Sequence, residues 1–268
     1  MASDPNSKTR IRLAFFLLFV FMIALPVGAY FANQSVFDLS RFQESIANQE
    51  GQSALQGITD RGQIDEALRR YPSNRFLQMV SLATNVALEA SLAAEKLTNE
   101  LEPPGLSNQI NLGTASRADL EALRNDLKTA EANATTSMPR YTALMKAERE
   151  KVAQFALSRI EKDTVSGLLE GIDKRQAEGT EFISRMLSAR VDYYRAYEKY
   201  VAVLAGEFGS YKVANGELIF PLQRTVDRYN VAANAVTATA KRIAELEEER
   251  KRLAQSQLQG WLQFVNGK

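Results

Sequence analysis

The 268-residue chain contains no histidine and no cysteine, and these absences exclude much common enzyme chemistry. Without histidine the chain lacks the usual general base and the usual ligand of transition metals, which excludes serine triads, zinc hydrolases and histidine-ligated haem. Without cysteine it has no disulfides, no thiolate nucleophile and no cysteine-bound zinc or iron–sulfur site. The sequence also has no phosphate-binding glycine loop and no nucleophile elbow. We therefore predict no catalytic residue, no cofactor and no metal site, and we do not expect an enzyme.

A strong excess of one charge is absent as well. The net charge is +1, and the basic residues are interleaved with acidic ones instead of forming a stripe. A nucleic-acid backbone is bound by clustered lysine and arginine, so we expect no nucleic-acid partner. The lack of cysteine is compatible with an oxidising compartment, where a free thiol is a liability.

One long uncharged apolar run is present, at residues 13–32. A helix of this length spans about 30 Å, the thickness of the hydrocarbon core of a bilayer. Basic residues precede the run and acidic residues follow it, so the positive-inside rule places residues 1–12 in the cytoplasm and 33–268 outside. We predict a single-pass signal anchor in the bacterial inner membrane, with the bulk of the chain in the periplasm. A cleaved signal peptide is the alternative, because Pro26 is followed by the small residues 27–29.

Apolar residues recur at helical spacing through most of the remaining chain. The clearest patterns run from Leu168 to Leu204 and from Val226 to Leu246, in alternating steps of three and four that are typical of a coiled coil. Ser116 is a predicted N-cap, with Asp119 as its capping-box partner. The fold class that follows is mostly α: an elongated antiparallel helical bundle with one short β-hairpin. The predicted helices cover residues 37–55, 64–71, 76–101, 117–134, 139–160, 165–204 and 222–257.

Residues 211–220 are the one stretch where the apolar pattern changes to a period of two, which predicts a β-hairpin. Asn215-Gly216 is a strong signal for a two-residue type I′ turn. We expect the hairpin to connect the two best-patterned helices as an antiparallel pair, although it could instead be a docking edge for a partner strand. Because an isolated hairpin is marginal in water, its apolar face should lie on the helices. The expected strand pairs are Ala214 with Glu217, Val213 with Leu218, Lys212 with Ile219 and Tyr211 with Phe220. The expected apolar face consists of Tyr211, Val213, Leu218 and Phe220.

Three short motifs around the hairpin resemble an uncharacterised family of bacterial envelope lipoproteins. They are Val213-Ala214-Asn215-Gly216, Phe220-Pro221 and Tyr229-Asn230, and the resemblance covers roughly residues 197–236. The resemblance implies a helical envelope domain with no known activity. This chain departs from the family in having no cysteine to lipidate, so residues 13–32 would have to provide the tether.

Aromatic residues are concentrated near the hairpin and predict an interaction surface. A tyrosine buries its ring and keeps a polar tip, so the cluster is either a surface for a ligand or partner, or a core layer whose hydroxyls reach the edge of the bundle. We expect Tyr197 to contact Tyr229 across the two helices. Glu198, beside the cluster, is expected to pair with Arg195, Lys199, Arg224 or Arg228. The candidate interaction surface consists of Tyr193, Tyr197, Tyr200, Tyr211, Phe220, Tyr229 and Trp261.

These features favour a membrane-tethered helical scaffold that binds a protein partner in the cell envelope. One alternative is a ligand-sensing ectodomain, which would need a separate signalling subunit because residues 1–12 carry no output domain. Another is a carboxylate-based enzyme acting on envelope polymers, which would need a cleft with two facing acids. A pore-forming protein would need a second apolar segment, and the sequence offers only a short apolar tail at residues 261–265.

Overall fold

A computed structural model describes most of the chain as helix, with one two-stranded antiparallel sheet. The predicted cytoplasmic tail, membrane segment and first helix all lie outside the described residues. Among the helices that the structure does describe, none has both the length and the apolar composition needed to cross a membrane. The described residues are 61–73, 75–107, 111–158, 162–214 and 217–265.

The order of the elements follows the predicted helices closely. A short 3-10 turn at Pro104–Ser107 contains the Pro-Gly sequence that was predicted to end the helix before it. The elements are α1 (Arg61–Arg70), α2 (Arg75–Asn99), a 3-10 turn (Pro104–Ser107), α3 (Arg117–Thr136), α4 (Met138–Leu157), α5 (Lys162–Gly206), β1 (Lys212–Ala214), β2 (Glu217–Ile219) and α6 (Gln223–Val265).

Local chemistry explains where α3 and α5 begin or end. Ser116 caps α3 as predicted: its side chain accepts from the backbone N–H of Asp119 at 3.2 Å, and its own N–H donates to the Asp119 carboxylate at 2.9 Å. Each bond satisfies a backbone N–H at the start of the helix. α5 ends at Gly206, and Gly209 follows with a φ of 84°, a conformation that favours glycine.

Two predicted helix ends were wrong. α4 ends at Leu157 instead of Ile160. α6 continues to Val265, so Trp261 lies within a helix and not in a separate apolar tail. A single glycine in a helix costs only about 1 kcal/mol, and Gly260 therefore does not end α6 among its helix-forming neighbours.

The described part of the chain divides into two compact units. Of the described residues, the first unit contains those within 61–95, 141–181 and 249–265. The second contains residues 96–140 and 182–248. α5 and α6 contribute residues to both units.

The core of the second unit is formed by α3, α5 and α6. Along α3, leucines and alanines at helical spacing are buried, including Leu120, Leu123 and Leu127. Phe182 and Met186 of α5 form a buried cluster with Leu246 of α6. Early residues of this part of α5 therefore meet late residues of α6, and Tyr200 meets Tyr229 next to the hairpin. The two segments run antiparallel, as predicted.

The first unit is built from α1, α2, α4 and the remaining parts of α5 and α6. Contacts of α4 join it to two other helices of this unit. Gln176 of α5 donates to the backbone carbonyl of Met145 on α4 at 2.9 Å. Lys151 of α4 lies 2.5 Å from the carboxylate of Glu89 on α2. Its buried apolar residues include Ile64, Ala67, Val86, Ala90, Tyr141, Met145, Val152, Ala156 and Ile172.

The hairpin has the predicted register, but the predicted pair of Tyr211 with Phe220 lies beyond the ends of the two strands. Lys212 lies opposite Ile219, Val213 opposite Leu218 and Ala214 opposite Glu217. The turn residues Asn215 and Gly216 lie outside the described part of the chain.

The predicted apolar face of the hairpin is only partly covered. Phe220 is buried and Tyr211 and Leu218 are half-buried, but Val213 is exposed. The covered end is the one nearest the helices, where the ring of Phe220 lies against Tyr229 at 5.1 Å. The three-residue strands extend beyond this contact, and all their side chains except that of the half-buried Leu218 are exposed.

Candidate functional site

Three tyrosines of α5 form a line on one face of that helix. Tyr193, Tyr197 and Tyr200 are separated by steps of four and three, which place them on the same side. The ring centroids of Tyr193 and Tyr197 are 5.8 Å apart, and those of Tyr197 and Tyr200 are 6.2 Å apart. All three are half-buried, so each presents part of its ring to solvent.

The line continues through α6 and the hairpin. Tyr229 lies 5.2 Å from Tyr200, Phe220 lies 5.1 Å from Tyr229, and Tyr211 lies 5.6 Å from Phe220, all measured between ring centroids. Six of the seven residues predicted for the interaction surface therefore form one continuous set. We call this set the aromatic row: Tyr193, Tyr197, Tyr200, Tyr229, Phe220 and Tyr211.

The structure differs from the sequence prediction at two places in this surface. The ring contact of Tyr229 across the helices is with Tyr200, whereas the prediction paired it with Tyr197. Trp261 belongs to the part of α6 that lies in the first unit, and its side chain is outside the described atoms. The aromatic row is therefore a feature of the second unit alone.

The hydroxyl groups of the row are neutral hydrogen-bonding groups. The hydroxyls of Tyr200 and Tyr229 are 3.0 Å apart and share a hydrogen bond. Burial raises the pKa of Tyr193, Tyr197, Tyr200 and Tyr211 above the ordinary tyrosine value, and for Tyr200 the bond to Tyr229 raises it further. A tyrosine whose pKa is raised does not supply phenolate at neutral pH, so the row is suited to binding and packing and not to acid–base catalysis.

Tyr194, next to the row, is a buried anchor that the predicted surface did not include. Only 2% of it is exposed, and its ring meets the edge of Tyr193 at 5.8 Å. Its hydroxyl donates to the carboxylate of Glu102 at 2.6 Å, and Arg190 donates to the same carboxylate oxygen at 2.9 Å. Arg190 and Tyr194 are four residues apart on one face of α5, but no sequence pattern connects them to Glu102, 92 residues from Tyr194. This cluster fixes the end of the Glu102-Pro103-Pro104-Gly105 loop to α5.

The predicted partners of Glu198 were wrong. Its carboxylate accepts from Arg124 of α3 at 2.9 and 3.0 Å, and Lys128 lies at 3.8 Å. Of the basic residues expected to pair with it, Arg195 instead contacts Glu131, and Arg228 lies 3.9 Å from Glu207. The sequence pattern could not show that α3 packs beside this face of α5, because helical spacing identifies a buried face but not the helix that covers it.

These ion pairs bear on the chemistry that the second unit can perform. Glu102, Glu131 and Glu198 each hold an arginine. Within the described residues, no group of three or more potential ligand side chains could hold a metal ion. The acidic residues near the row thus serve as structural partners of arginines from the same unit.

Exposed apolar residues cluster in sequence around the hairpin, beyond the row. Phe208 is 42% exposed, Val213 45%, Ile219 53% and Leu222 53%. We call these four residues the hairpin patch; they are neighbours in sequence, and the strand register places Val213 and Ile219 on opposite faces of the hairpin. Val213 lies close to the loop before α3, with its Cγ1 at 3.5 Å from the point where a Cβ on Gly113 would stand. The sequence predicted Val213 as part of a covered face and paired Ile219 with Lys212, outside that face, but it gave no sign that Phe208 and Leu222 would be exposed.

The first unit contains an open groove of about 440 Å³. The surface of the groove is mainly apolar, and three polar residues of α2 also line it. The groove is lined by Leu68, Pro72, Gln78, Ser81, Leu82, Asn85 and Phe155.

No known protein family, no curated protein and no solved structure matches this chain. The resemblance of residues 197–236 to envelope lipoproteins therefore stays a prediction. The function has to be argued from the residues of the chain itself.

Proposed function

We propose that this protein is a membrane-tethered scaffold of the bacterial envelope that binds a protein partner outside the cytoplasm. In this proposal residues 13–32 anchor the chain in the inner membrane, residues 1–12 remain in the cytoplasm and residues 33–268 lie in the periplasm. The resemblance of residues 197–236 to envelope lipoproteins supports the same compartment. The helical bundle and its hairpin provide the binding surface.

The observation that carries the proposal is the hairpin patch. Large apolar side chains that are exposed singly are normal on a protein surface, but a local concentration of them often marks a site of interaction. Phe208, Val213, Ile219 and Leu222 lie within one short connection between α5 and α6 and are each more than two-fifths exposed, so apolar side chains are exposed on both faces of the hairpin. A two-stranded hairpin is also marginal by itself, so covering its apolar side chains would stabilise it.

The chemistry of the patch indicates the kind of partner. β1 and β2 form a sheet of only two strands, so each strand has an outer edge that no described strand covers. Three residues per strand offer few backbone groups for edge pairing, so apolar side chains would have to supply most of the affinity. The exposed charges of Lys212 and Glu217 flank the patch and would orient the partner. We expect an extended protein segment that carries apolar side chains and both signs of charge.

The two alternative functions have less support. A ligand-sensing ectodomain needs a site that encloses most of its ligand, whereas the groove described in the first unit is open to solvent. A carboxylate enzyme needs two facing acids in a cleft, whereas Glu102, Glu131 and Glu198 are each paired with arginine.

Site-specific photo-crosslinking in intact cells tests the proposal. A photoreactive phenylalanine analogue is placed at Ile219 in the full-length chain, and in a second chain at Leu92. Leu92 is a matched control because it is also a large apolar residue, 58% exposed, but lies on α2 in the first unit. We expect a discrete adduct from position 219 and none from position 92.

A variant of the patch distinguishes binding from chance proximity. The changes Val213→Ser and Leu222→Ser remove apolar surface without touching the aromatic row, and they should abolish the adduct from position 219 while circular dichroism stays unchanged. The same adduct from both positions, or an adduct that survives the serine changes, would refute the proposed surface. Sequencing the mature N-terminus from the same membranes tests the tether, because a soluble form that begins at Tyr30 would contradict it.

A further inference from the structure

α4 presents an acidic residue on its buried face. The residues of this helix that are buried are Tyr141, Met145, Glu148, Val152 and Ala156, with steps of four, three, four and four. That spacing is the pattern of a helix face that packs into a core. Glu148 therefore occupies a position that an apolar residue would normally fill. All five residues belong to the first unit.

The carboxyl group of Glu148 is almost completely enclosed and incompletely satisfied. Only 3% of the residue is exposed, and its Oε1 atom has no hydrogen-bond partner within the described structure. A buried carboxylate without a full set of partners is far more costly than a buried neutral acid. Burial raises the pKa of Glu148 to about 8, although the positive charge of Lys151 acts in the opposite direction.

The charged groups around Glu148 are largely engaged elsewhere. Lys151, one turn along α4, lies 2.5 Å from the carboxylate of Glu89 on α2, and its side chain is exposed. Arg149, the next residue along α4, donates to both carboxylate oxygens of Asp173 on α5. α6 contributes the buried Arg250 to the same unit, but the charge that acts on the pKa of Glu148 is that of Lys151.

We propose that Glu148 is held as a neutral carboxylic acid in the folded protein, and that the packing of α4 in the first unit is thereby controlled by pH. When the proton is lost, a carboxylate remains in a place that cannot solvate it, and the helix has to move to expose it. Met145, one turn before Glu148, makes two contacts between α4 and α5. Its backbone carbonyl accepts a hydrogen bond from Gln176, and its sulfur lies 3.2 Å from the hydroxyl of Thr180. Opening of α4 would break both contacts.

The direction of the pH effect follows from proton linkage. In the unfolded chain Glu148 ionises near its ordinary value of 4.5, whereas in the folded chain it keeps its proton up to about pH 8. Between these two values the unfolded or open state loses a proton that the folded state retains, so each pH unit favours opening about tenfold. The contribution of Glu148 to the stability of the first unit is therefore greatest below pH 4.5, falls through the neutral range and becomes level above pH 8.

Amide hydrogen exchange on the full chain in detergent micelles tests this inference. The measured quantity is the opening constant of the α4 amides around Glu148, corrected for the intrinsic exchange rate at each pH. For the wild type we expect this constant to rise about tenfold per pH unit from pH 5 to pH 8. For Glu148→Met, which fills the site with an apolar side chain of similar length, we expect no such rise and stronger protection at pH 8.

Two further variants keep the test decisive. Glu150→Gln removes an exposed carboxylate of the same helix and should retain the wild-type pH profile. Glu148→Gln should flatten the profile as the methionine variant does, even if its buried amide lowers overall stability. A flat wild-type profile would overturn the proposal, because it would mean that a cation such as Arg250 holds the ionised carboxylate. An unchanged slope in Glu148→Met would overturn it as well.

Discussion

The contact between Tyr200 and Tyr229 allows a sharp test of whether the aromatic row is part of the fold. We consider two double-mutant cycles at this pair, one with both tyrosines changed to phenylalanine and one with both changed to alanine. The phenylalanine cycle removes only the hydroxyl bond of 3.0 Å. The alanine cycle also removes the ring contact, whose centroids are 5.2 Å apart at an interplanar angle of 45°.

The expected coupling energies follow from these two contacts. A neutral hydrogen bond contributes about 0.5–1.5 kcal/mol net to the free energy of unfolding. Because this pair is half-buried, we expect a value in the lower part of that range, about 0.5–1 kcal/mol. A tilted aromatic pair contributes about 0.5–1.5 kcal/mol beyond its buried area. The phenylalanine cycle should therefore give a coupling of about 0.5–1 kcal/mol, and the alanine cycle about 1–2.5 kcal/mol.

Urea unfolding of the full chain in detergent, followed by far-UV circular dichroism, measures the four free energies of unfolding in each cycle. Tyr193 and Tyr229 provide the matched control pair, because Tyr193 contacts Tyr194 and Tyr197 at the other end of the row. The effects of this control pair should add within about 0.3–0.5 kcal/mol. If the effects of changes at Tyr200 and Tyr229 also added within this limit in both cycles, the contact between these two residues would be refuted.

Three further changes test the second unit by the same unfolding assay. Tyr194→Phe removes the 2.6 Å bond to Glu102 and should cost about 1–2 kcal/mol, less than a fully buried charged bond because Glu102 can regain water. Leu246→Ala empties a fully buried position and should cost about 2–4 kcal/mol. Gly105→Ala places a Cβ 1.8 Å from Oδ2 of Asp126 and should cost about 1 kcal/mol, since that side chain can turn away; adding Asp126→Ala should recover the loss. A loss below 0.5 kcal/mol for Leu246→Ala would contradict its core position.

The sequence predicted the local elements because their signals are local. Ser116 with Asp119 determines the start of α3, Gly206 stands at the end of α5, and the period-two stretch around Asn215-Gly216 predicts the register of β1 and β2. In each case the residues that decide the structure are neighbours in the chain, and turn or cap chemistry acts over a few residues.

The sequence did not predict contacts between distant residues. Glu198 binds Arg124 of α3, and Tyr194 binds Glu102 of the loop after α2, because α5 packs beside both segments in the second unit. Helical spacing shows which face of α5 is buried, but the same face could have been covered by any other helix. For the same reason the row was predicted as a set, while the partner of Tyr229 was misplaced by one turn.

The difference between the aromatic row and the hairpin patch changes how binding has to be tested. Tyr200 and Tyr229 hold α5 and α6 together, so alanine changes there would lower binding by disturbing the fold whether or not a partner touches them. Ile219 and Leu222, by contrast, are each 53% exposed and can be made polar with little effect on stability. Only changes in the patch therefore separate a loss of binding from a loss of structure.

Glu148 and Tyr194 both lie at buried positions of helix faces, but only Glu148 should respond to pH. The hydroxyl of Tyr194 is satisfied by Glu102 and Arg190, and its raised pKa keeps it protonated through the whole accessible range. Glu148 has no such partner for Oε1, and its pKa of about 8 lies within that range. If Glu148 is the source of pH sensitivity, amides of α4 should lose protection between pH 5 and 8 while amides of α5 around Tyr194 keep theirs. Equal loss in both places would point to a general effect of charge, because a single buried acid acts on the helix that carries it.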